Sequence, residues 1–600
     1  MPTLTEQFRH QLGSSPNPSE ARSWERSLQV LSADLLEAGL GDVEALVEYQ
    51  LPMTSKRADV VLCGVHPGTG APSYVVVELK QWSRALMLDG TDDICLLEGM
   101  GERLHPAEQV RRYCTHLHDF ATVLESRPDQ LAGVAYLHNA TDQDIEALWG
   151  IEATEWSRMF TGQRRGDFRR YLQGRLAQEP GADAADALLG SAIRPSKQLL
   201  ELAAAEVQER EQFVLLDEQQ TAYSLVMRAV ERARTSNHKE VLVVTGGPGS
   251  GKSVIALSLL GELSRRGRAV LHATGSSAFT QTLRRVAGSR QPRVRGMFKY
   301  FNQFAGVERN SLDVLILDEA HRIRASSANR YTKAELRSGR PQVEELIDVA
   351  RVPIFLLDEH QVVRPGEIGT VADIRDAASR LGLDSRVIEL DGQFRCGGSR
   401  AYEHWVLRLL GLEGDGPVLW AGDDNFELIV GEGPSQMEGH LRRILESGYG
   451  ARMAAGYCWQ WSDPVPGGLV DDVEIGDWRR PWNNKKPTLH AGAPGTPYWA
   501  SDPSGFEQVG CVYTAQGFEY DYSGVIMGPD LVWRTDHWEA RPGFSFDTQV
   551  KRASLEGFDR AVRNTYKVLL TRGMRGTVLY STDAETQGLL SSLIPTRVRV

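Results

Sequence analysis

The chain has 600 residues, 41% of them hydrophobic and 24% charged, with a formal net charge of −12 and six cysteines. At about 150 residues per domain this length exceeds one hydrophobic core, so several compact units are expected. No apolar run approaches the ~20 residues of a membrane span, and Cys63, Cys95, Cys114, Cys396, Cys458 and Cys511 are too scattered for a zinc ribbon or iron–sulfur cluster of local ligand spacing. Net acidity argues against a uniformly basic surface but is compatible with Lys and Arg confined to one nucleic-acid channel. The lead-in MPTLTEQFRHQLGSSPNPSE lacks the layout of a secretory signal, so a flexible terminus over 1–20 and a cytoplasmic location are expected, with no membrane partner.

Residues 23–40 carry apolar side chains at helical spacing, and VEALVEYQLP, RADVVLCGV and SYVVVELKQW follow as successive strands. A helix is predicted over HPAEQVRRYCTHLHDFATVL and another strand at GVAYLHNA, which together make an α/β domain of residues 21–190. EPGADAADALLGSAIRPS has linker composition, and 191–210 is assigned as linker and helix. Beyond it, apolar strands each followed by a helical segment predict parallel α/β architecture in two lobes, 211–385 and 386–600. The stretches 412–445 and 459–505 interrupt that alternation as insertions or long functional loops.

VLVVTGGPGSGKSVIALSLL places Gly246, Gly247, Pro248, Gly249, Ser250, Gly251, Lys252 and Ser253 between an apolar strand and a helix, the context a phosphate-binding P-loop requires. Glycines let backbone N–H groups wrap phosphates, Lys252 offers a cation to the β/γ-phosphates of ATP, and Ser253 a ligand to Mg²⁺. The matching acid strand is LDVLILDEAHR, with Asp318 for the magnesium and Glu319 for the attacking water.

Further segments, in order, resemble the motifs of superfamily 1 helicases. LLDEQQTA is similar to the adenine-reading motif, with Gln219 as its glutamine. PIFLLDEHQ resembles the motif that links the γ-phosphate to the nucleic-acid groove, with Asp358 and Gln361. LDGQFRC supplies Arg395 as a phosphate-binding arginine, and VYTAQGFEYD supplies Glu519 beside the nucleotide, near Thr514 and Gln516. KVLLTRGMRG supplies Arg572 as the finger from the second lobe. The combination of DEAHR, AGYCWQWS, PWNN and YTAQGFEYDY is most similar to a bacterial helicase-like family related to the helicase part of Schlafen proteins. That resemblance implies two RecA-like lobes that close on ATP and move a nucleic-acid strand. Trp459, Trp461, Trp478, Trp482 and Trp499 are either base-stacking platforms or core packing.

In the N-terminal domain, Asp59 in RADVVLCGV and Glu78-Leu79-Lys80 at the end of SYVVVELKQW resemble the PD-(D/E)xK nuclease core, here without the proline before the first acid because residue 58 is Ala. Two carboxylates at adjacent strand ends can share Mg²⁺ or Mn²⁺, and a lysine two residues on projects from the same face. The resemblance also implicates Glu25 in the preceding helix, and Gln109 and Tyr113 in the following one. The expected fold is therefore a restriction-endonuclease-like domain followed by two RecA-like lobes. The expected function is an ATP-dependent translocase fused to a metal-dependent nuclease that cuts DNA, ahead of RNA, in bacterial defence or repair. The alternative is an ATP-switch or nucleic-acid sensor whose nuclease is silent or gated by a protein partner or a second copy, with RNA as a substrate.

Overall fold

The computed structural model describes residues 18–97, 99–125, 127–192, 214–236, 238–247, 249–286, 292–328, 339–358, 367–390, 396–414, 416–423, 426–516 and 518–595. These form two compact units: 18–192 with 214–228, and those from 229 onward. Among the described residues no helix is long and apolar enough to cross a membrane.

The first unit opens with helix α1 (Pro18–Glu37) and strands β1 (Glu44–Gln50), β2 (Arg57–Val65) and β3 (Pro72–Lys80), which pair as an antiparallel meander. Helix α2 (Pro106–Phe120) follows, started by Pro106 and capped by the His105 ring, which accepts from Ala107 N at 3.1 Å. Its buried residues Val110, Tyr113, Cys114 and Leu117 recur at the spacing of one helix face. The chain then re-enters the sheet in parallel as β4 (Leu131–Leu137) and β5 (Arg158–Thr161), giving the order β1-β2-β3-β4-β5.

The central strands of this sheet are packed on both faces, with Val60, Leu62, Val75, Val77 and Val134 fully buried on one and Val61 and Val76 on the other. Each such side chain contributes about 1.5–3 kcal/mol relative to exposure. Gly133 shows how tight the packing is. A Cβ there would meet Trp156 O at 2.6 Å and Cys114 Sγ at 2.7 Å, neither of which can swing away. Gly133→Ala should therefore cost about 1–3 kcal/mol by overpacking, visible as a lower thermal midpoint for the first unit; an unchanged midpoint would mean that the strand relaxes freely.

The second unit holds two parallel sheets. The first contains β6 (Glu240–Gly246), β7 (Val270–Thr274), β8 (Phe298–Tyr300), β9 (Leu312–Asp318), β10 (Ala350–Leu357) and β11 (Asp384–Leu390), in the order β8-β7-β9-β10-β6-β11. Its central strands β6, β9 and β10 are near-continuous apolar runs, as expected of parallel strands buried on both faces. The second contains β12 (Glu427–Val430), β13 (Ala451–Ala455), β14 (Val509–Gly510), β15 (Tyr520–Met527) and β16 (Gly573–Ser581), in the order β12-β16-β15-β13-β14.

Two boundaries differ from the sequence expectation of 211–385 for the first lobe. Residues 214–228 cluster with the N-terminal unit, because Leu215 and Leu216 are buried, Arg112 donates to Leu215 O at 3.1 Å, and Gln220 and Ser224 donate to Asp93 at 2.6 and 2.8 Å. The first lobe also extends to residue 390, since β11 pairs in parallel along β6 from Asp384↔Glu240 to Leu390↔Gly246. Most of the assigned linker, from 193 on, and most of the flexible terminus, up to 17, lie outside the described residues. All six cysteines are buried thiols outside any disulfide.

Candidate active sites

The P-loop joins β6 to the helix Lys252–Arg265. Gly249 and Gly251 have φ of +85° and +83°, the left-handed conformation that glycine adopts without a Cβ penalty. A Cβ at Gly246 would lie 2.5 Å from Ser250 Oγ, and one at Gly247 would lie 3.4 Å from Glu403 Oε1. The Lys252 ammonium donates to Gly246 O and Gly247 O at 2.8 Å each and to Ser250 Oγ at 3.0 Å, so the loop's own oxygens converge on its cation. Ser253 stands in the first turn of the helix. Pro248 lies outside the described residues.

Asp318 ends β9 and is 1% exposed; its Oδ1 accepts from Glu319 N at 2.9 Å, and His272 Nε2 on the adjacent β7 lies 3.5 Å from its Oδ2. Glu319 has φ +56°, a left-handed turn uncommon for a residue with a side chain, and its Oε2 lies 3.1 Å from His321 Nε2. Burial opposes its ionisation, but His321, Arg322 and Arg572 hold its carboxyl well below the usual carboxylate range. Glu319 Oε2 and His321 Nε2 thus satisfy each other, whereas among the described residues nothing hydrogen-bonds Asp318 Oδ2 or either ring nitrogen of His272. Buried polar atoms in that condition fit a site built around a further polar group, such as a hydrated Mg²⁺. No motif marked His272, which only the pairing of β7 with β9 reveals.

Arg572, at the foot of β16, is fully buried and donates from Nε to Val568 O at 3.0 Å and from Nη1 to Gln516 O at 2.7 Å. Its charge is among those that hold the Glu319 carboxyl low. Thr514 and Gln516 are buried, the latter through its carbonyl a partner of Arg572, and Glu519 is half-buried just before β15. Asp358 is buried at the end of β10, whereas Gln361 and Arg395 lie outside the described residues. Gln219 is buried in the first unit, where its Oε1 accepts from Leu216 N at 3.1 Å. Of the tryptophans, Trp478, Trp482 and Trp499 are 8%, 1% and 0% exposed and serve as core. Trp459 and Trp461 are half-buried, their ring N–H groups donated to Glu474 O and Asn483 O.

In the first unit, extending the β2–β3 register from Val60↔Val77 by one step sets Asp59 opposite Glu78, on one face of the sheet with Lys80. Asp59 Oδ2 accepts from Leu79 N at 2.7 Å, and Lys80 Nζ donates to Glu78 Oε1 at 2.7 Å. Burial pushes Glu78 up to about 8, with Asp59 adding to the shift, and burial raises Asp59 to about 6 against the pull of Lys80. Lys80, which burial would lower, is instead held up by the two carboxylates. Glu78 is 3% exposed and its Oε2 has no hydrogen-bond partner among the described residues. Gln109 Nε2 donates to Tyr113 Oη at 2.9 Å, one turn along α2. Glu25 falls within α1, with its side chain outside the described residues.

Three groups at this site escaped the motif. Glu48, with φ +53°, lies opposite Asp59 between the pairs Val47↔Val60 and Tyr49↔Ala58, and its charge raises Asp59 further. The others are Lys56 and Asp217, which form an ion pair at 3.3 Å. Among the described residues no group of three or more His, Cys, Asp or Glu side chains is arranged to hold a metal ion, so Asp59 and Glu78 stand as a pair of carboxylates. The orphaned Glu78 Oε2 and the two acid side chains fit a divalent cation in donor chemistry.

Residues 239–583 match the family model described as the Schlafen group 3, DNA/RNA helicase domain, which covers more than half of the chain. An uncharacterized protein of Saccharomyces cerevisiae is 26% identical over 395 residues, 58% of this chain and 83% of that protein. Among solved structures, AMPPCP-bound DnaA from Aquifex aeolicus shares 17% identity over 34% of this chain at a TM-score of 0.17. The chain spans about half the length of that protein, 55%. The Pif1 helicase from Candida albicans shares 11% identity over 64% of this chain and 100% of its own, at a TM-score of 0.27.

Proposed function

The chain belongs to the Schlafen group 3 DNA/RNA helicase family, and from that premise we propose an ATP-driven nucleic-acid translocase whose first unit is a metal-dependent nuclease. The observation that carries the nuclease half is the row of half-buried Asp59, buried Glu78 and half-buried Lys80 on one sheet face, with Glu78 Oε2 left bare among the described residues. The order of helix, antiparallel meander, helix and parallel strand agrees with it.

In the motor, the P-loop amides and Lys252 would bind the β- and γ-phosphates of ATP, and Ser253 and Asp318 would hold its magnesium. Glu319 is ionised and so orients the attacking water as an acceptor, while Arg572 neutralises charge that develops on the phosphate. Since that arginine stands on the other lobe, hydrolysis tightens and releases the cleft, and the lobes advance along a strand. In the first unit, Asp59 and Glu78 would hold Mg²⁺ or Mn²⁺, which when bound polarises a phosphoryl oxygen and acidifies water. Lys80 positions the Glu78 carboxylate, and Gln109 orients the Tyr113 hydroxyl. DNA is the substrate proposed ahead of RNA.

The test is cleavage of labelled single-stranded and duplex DNA and RNA in Mg²⁺ or Mn²⁺, with and without ATP, for wild type and Asp59→Ala, alongside ATP turnover. Cutting that depends on the cation and disappears in Asp59→Ala is the expected result. Nucleic-acid-stimulated ATP turnover with no cutting under any condition would replace the nuclease by a silent sensor domain.

A further inference from the structure

The turn Leu216–Glu218 belongs to the same unit as the Asp59–Glu78 site, although Asp217 stands 139 positions after Glu78 in the sequence. Asp217 has φ +41°, a conformation that costs a residue with a side chain about 1–3 kcal/mol unless its surroundings fix it. What fixes it is a set of donors. Tyr113 Oη lies 2.8 Å from Asp217 Oδ2 and 3.0 Å from Oδ1, and the Lys56 ammonium is 3.3 Å from Oδ2. Lys56 also donates to Glu218, and its side chain is only 12% exposed. The charge of Asp217 reaches Asp59, Glu78 and Lys80.

This carboxylate has no evident use in cutting a polyanion. It adds negative charge to a site that already holds Glu48, Asp59 and Glu78, and like charges oppose the approach of a phosphodiester. Lys56 and Tyr113, in contrast, are what a phosphate needs: a cation and a hydroxyl donor aimed at two oxygens of one planar or tetrahedral anion.

We propose that Asp217 is a built-in stand-in for the substrate phosphate, holding the Lys56–Tyr113 donor pair and keeping nucleic acid out of the N-terminal site until its turn is displaced. The inference rests on the nuclease reading of that site. Its release has a chemical route. Gln219 Oε1 accepts from Leu216 N and so closes the turn that carries Asp217. Breaking that bond frees the turn.

The experiment compares full-length wild type, Asp217→Asn, Lys56→Met and the double variant. It reads Mn²⁺-dependent cleavage of labelled DNA without ATP, and binding of the same DNA in Ca²⁺. Asp217→Asn is expected to raise cleavage and tighten binding by about tenfold, as when a like charge leaves a polyanion's site, and the gain should vanish in the double variant. Since glycine takes a positive φ without strain, Asp217→Gly serves as a second variant should the asparagine form fail to fold. If the wild type cuts and Asp217→Asn or Asp217→Gly cuts no faster, the blocking role is wrong and the nuclease stands. If no variant cuts, the nuclease fails, and the binding arm still decides: unchanged DNA affinity on losing the Asp217 charge overturns the stand-in.

Discussion

Lys252→Ala will lower ATP turnover by on the order of 10² to 10³ or more, the effect of removing one preorganised donor from a phosphoryl-transfer site, while the chain still folds and cuts simple substrates. Loop geometry is set by Gly249 and Gly251 at positive φ and by the helix that begins at residue 252, none of which needs the lysine side chain. What the substitution removes is the ammonium at the convergence of Gly246 O, Gly247 O and Ser250 Oγ, the place where phosphate oxygens compete for its three protons. A coupled ATPase assay with and without single-stranded DNA reads the loss. Undiminished turnover would mean that the nucleotide is hydrolysed elsewhere.

Glu78→Gln should abolish cation-dependent cleavage and leave ATP turnover intact. The same substitution tests the electrostatics of the site. With Glu78 raised to about 8 and Asp59 to about 6, the site keeps protons that a cation must displace. Mn²⁺ affinity should therefore weaken as pH falls below about 8, by up to about tenfold per pH unit for each proton released. Calorimetric titrations in two buffers of different ionisation enthalpy would count those protons. The stability of the metal-free protein has the opposite pH dependence. A carboxyl whose pKa is higher folded than unfolded favours the folded state in its protonated form. Wild type loses stability as pH rises from the ordinary glutamate value through about 8. Glutamine does not ionise, so in chelator Glu78→Gln should gain in thermal midpoint over wild type as pH rises across that window. A constant difference between the two proteins would show that Glu78 is not the titrating group.

Much of this chemistry was legible in the sequence because it obeys local rules. The P-loop joins an apolar strand to a helix through glycines, and Asp318 ends a fully buried parallel strand, so spacing alone places both. Asp59, Glu78 and Lys80 follow from the two-residue period of a strand once β2 and β3 pair. What stayed hidden depends on long-range contacts or on irregular backbone. Glu48 lies opposite Asp59 only once β1 has paired with β2, a register that its own residues do not announce. Lys56 and Asp217 are distant in sequence and belong to no strand–helix pattern, and His272 needs the neighbour relation of β7 and β9. The tryptophans divide by burial, which composition does not encode: Trp499 and Trp482 fill the core, and Trp459 and Trp461 edge it.

The six buried thiols give the molecule its own reporter of opening. Cys63, Cys95 and Cys114 lie in the first unit and Cys396, Cys458 and Cys511 in the second. Burial pushes Cys63 and Cys95 up to about 12, so these thiols are shielded both by lack of access and by scarcity of thiolate. An alkylating reagent thus marks only molecules whose core has transiently come apart. Peptide mapping of the marks would then time the breathing of each unit separately, within a single unlabelled wild-type sample.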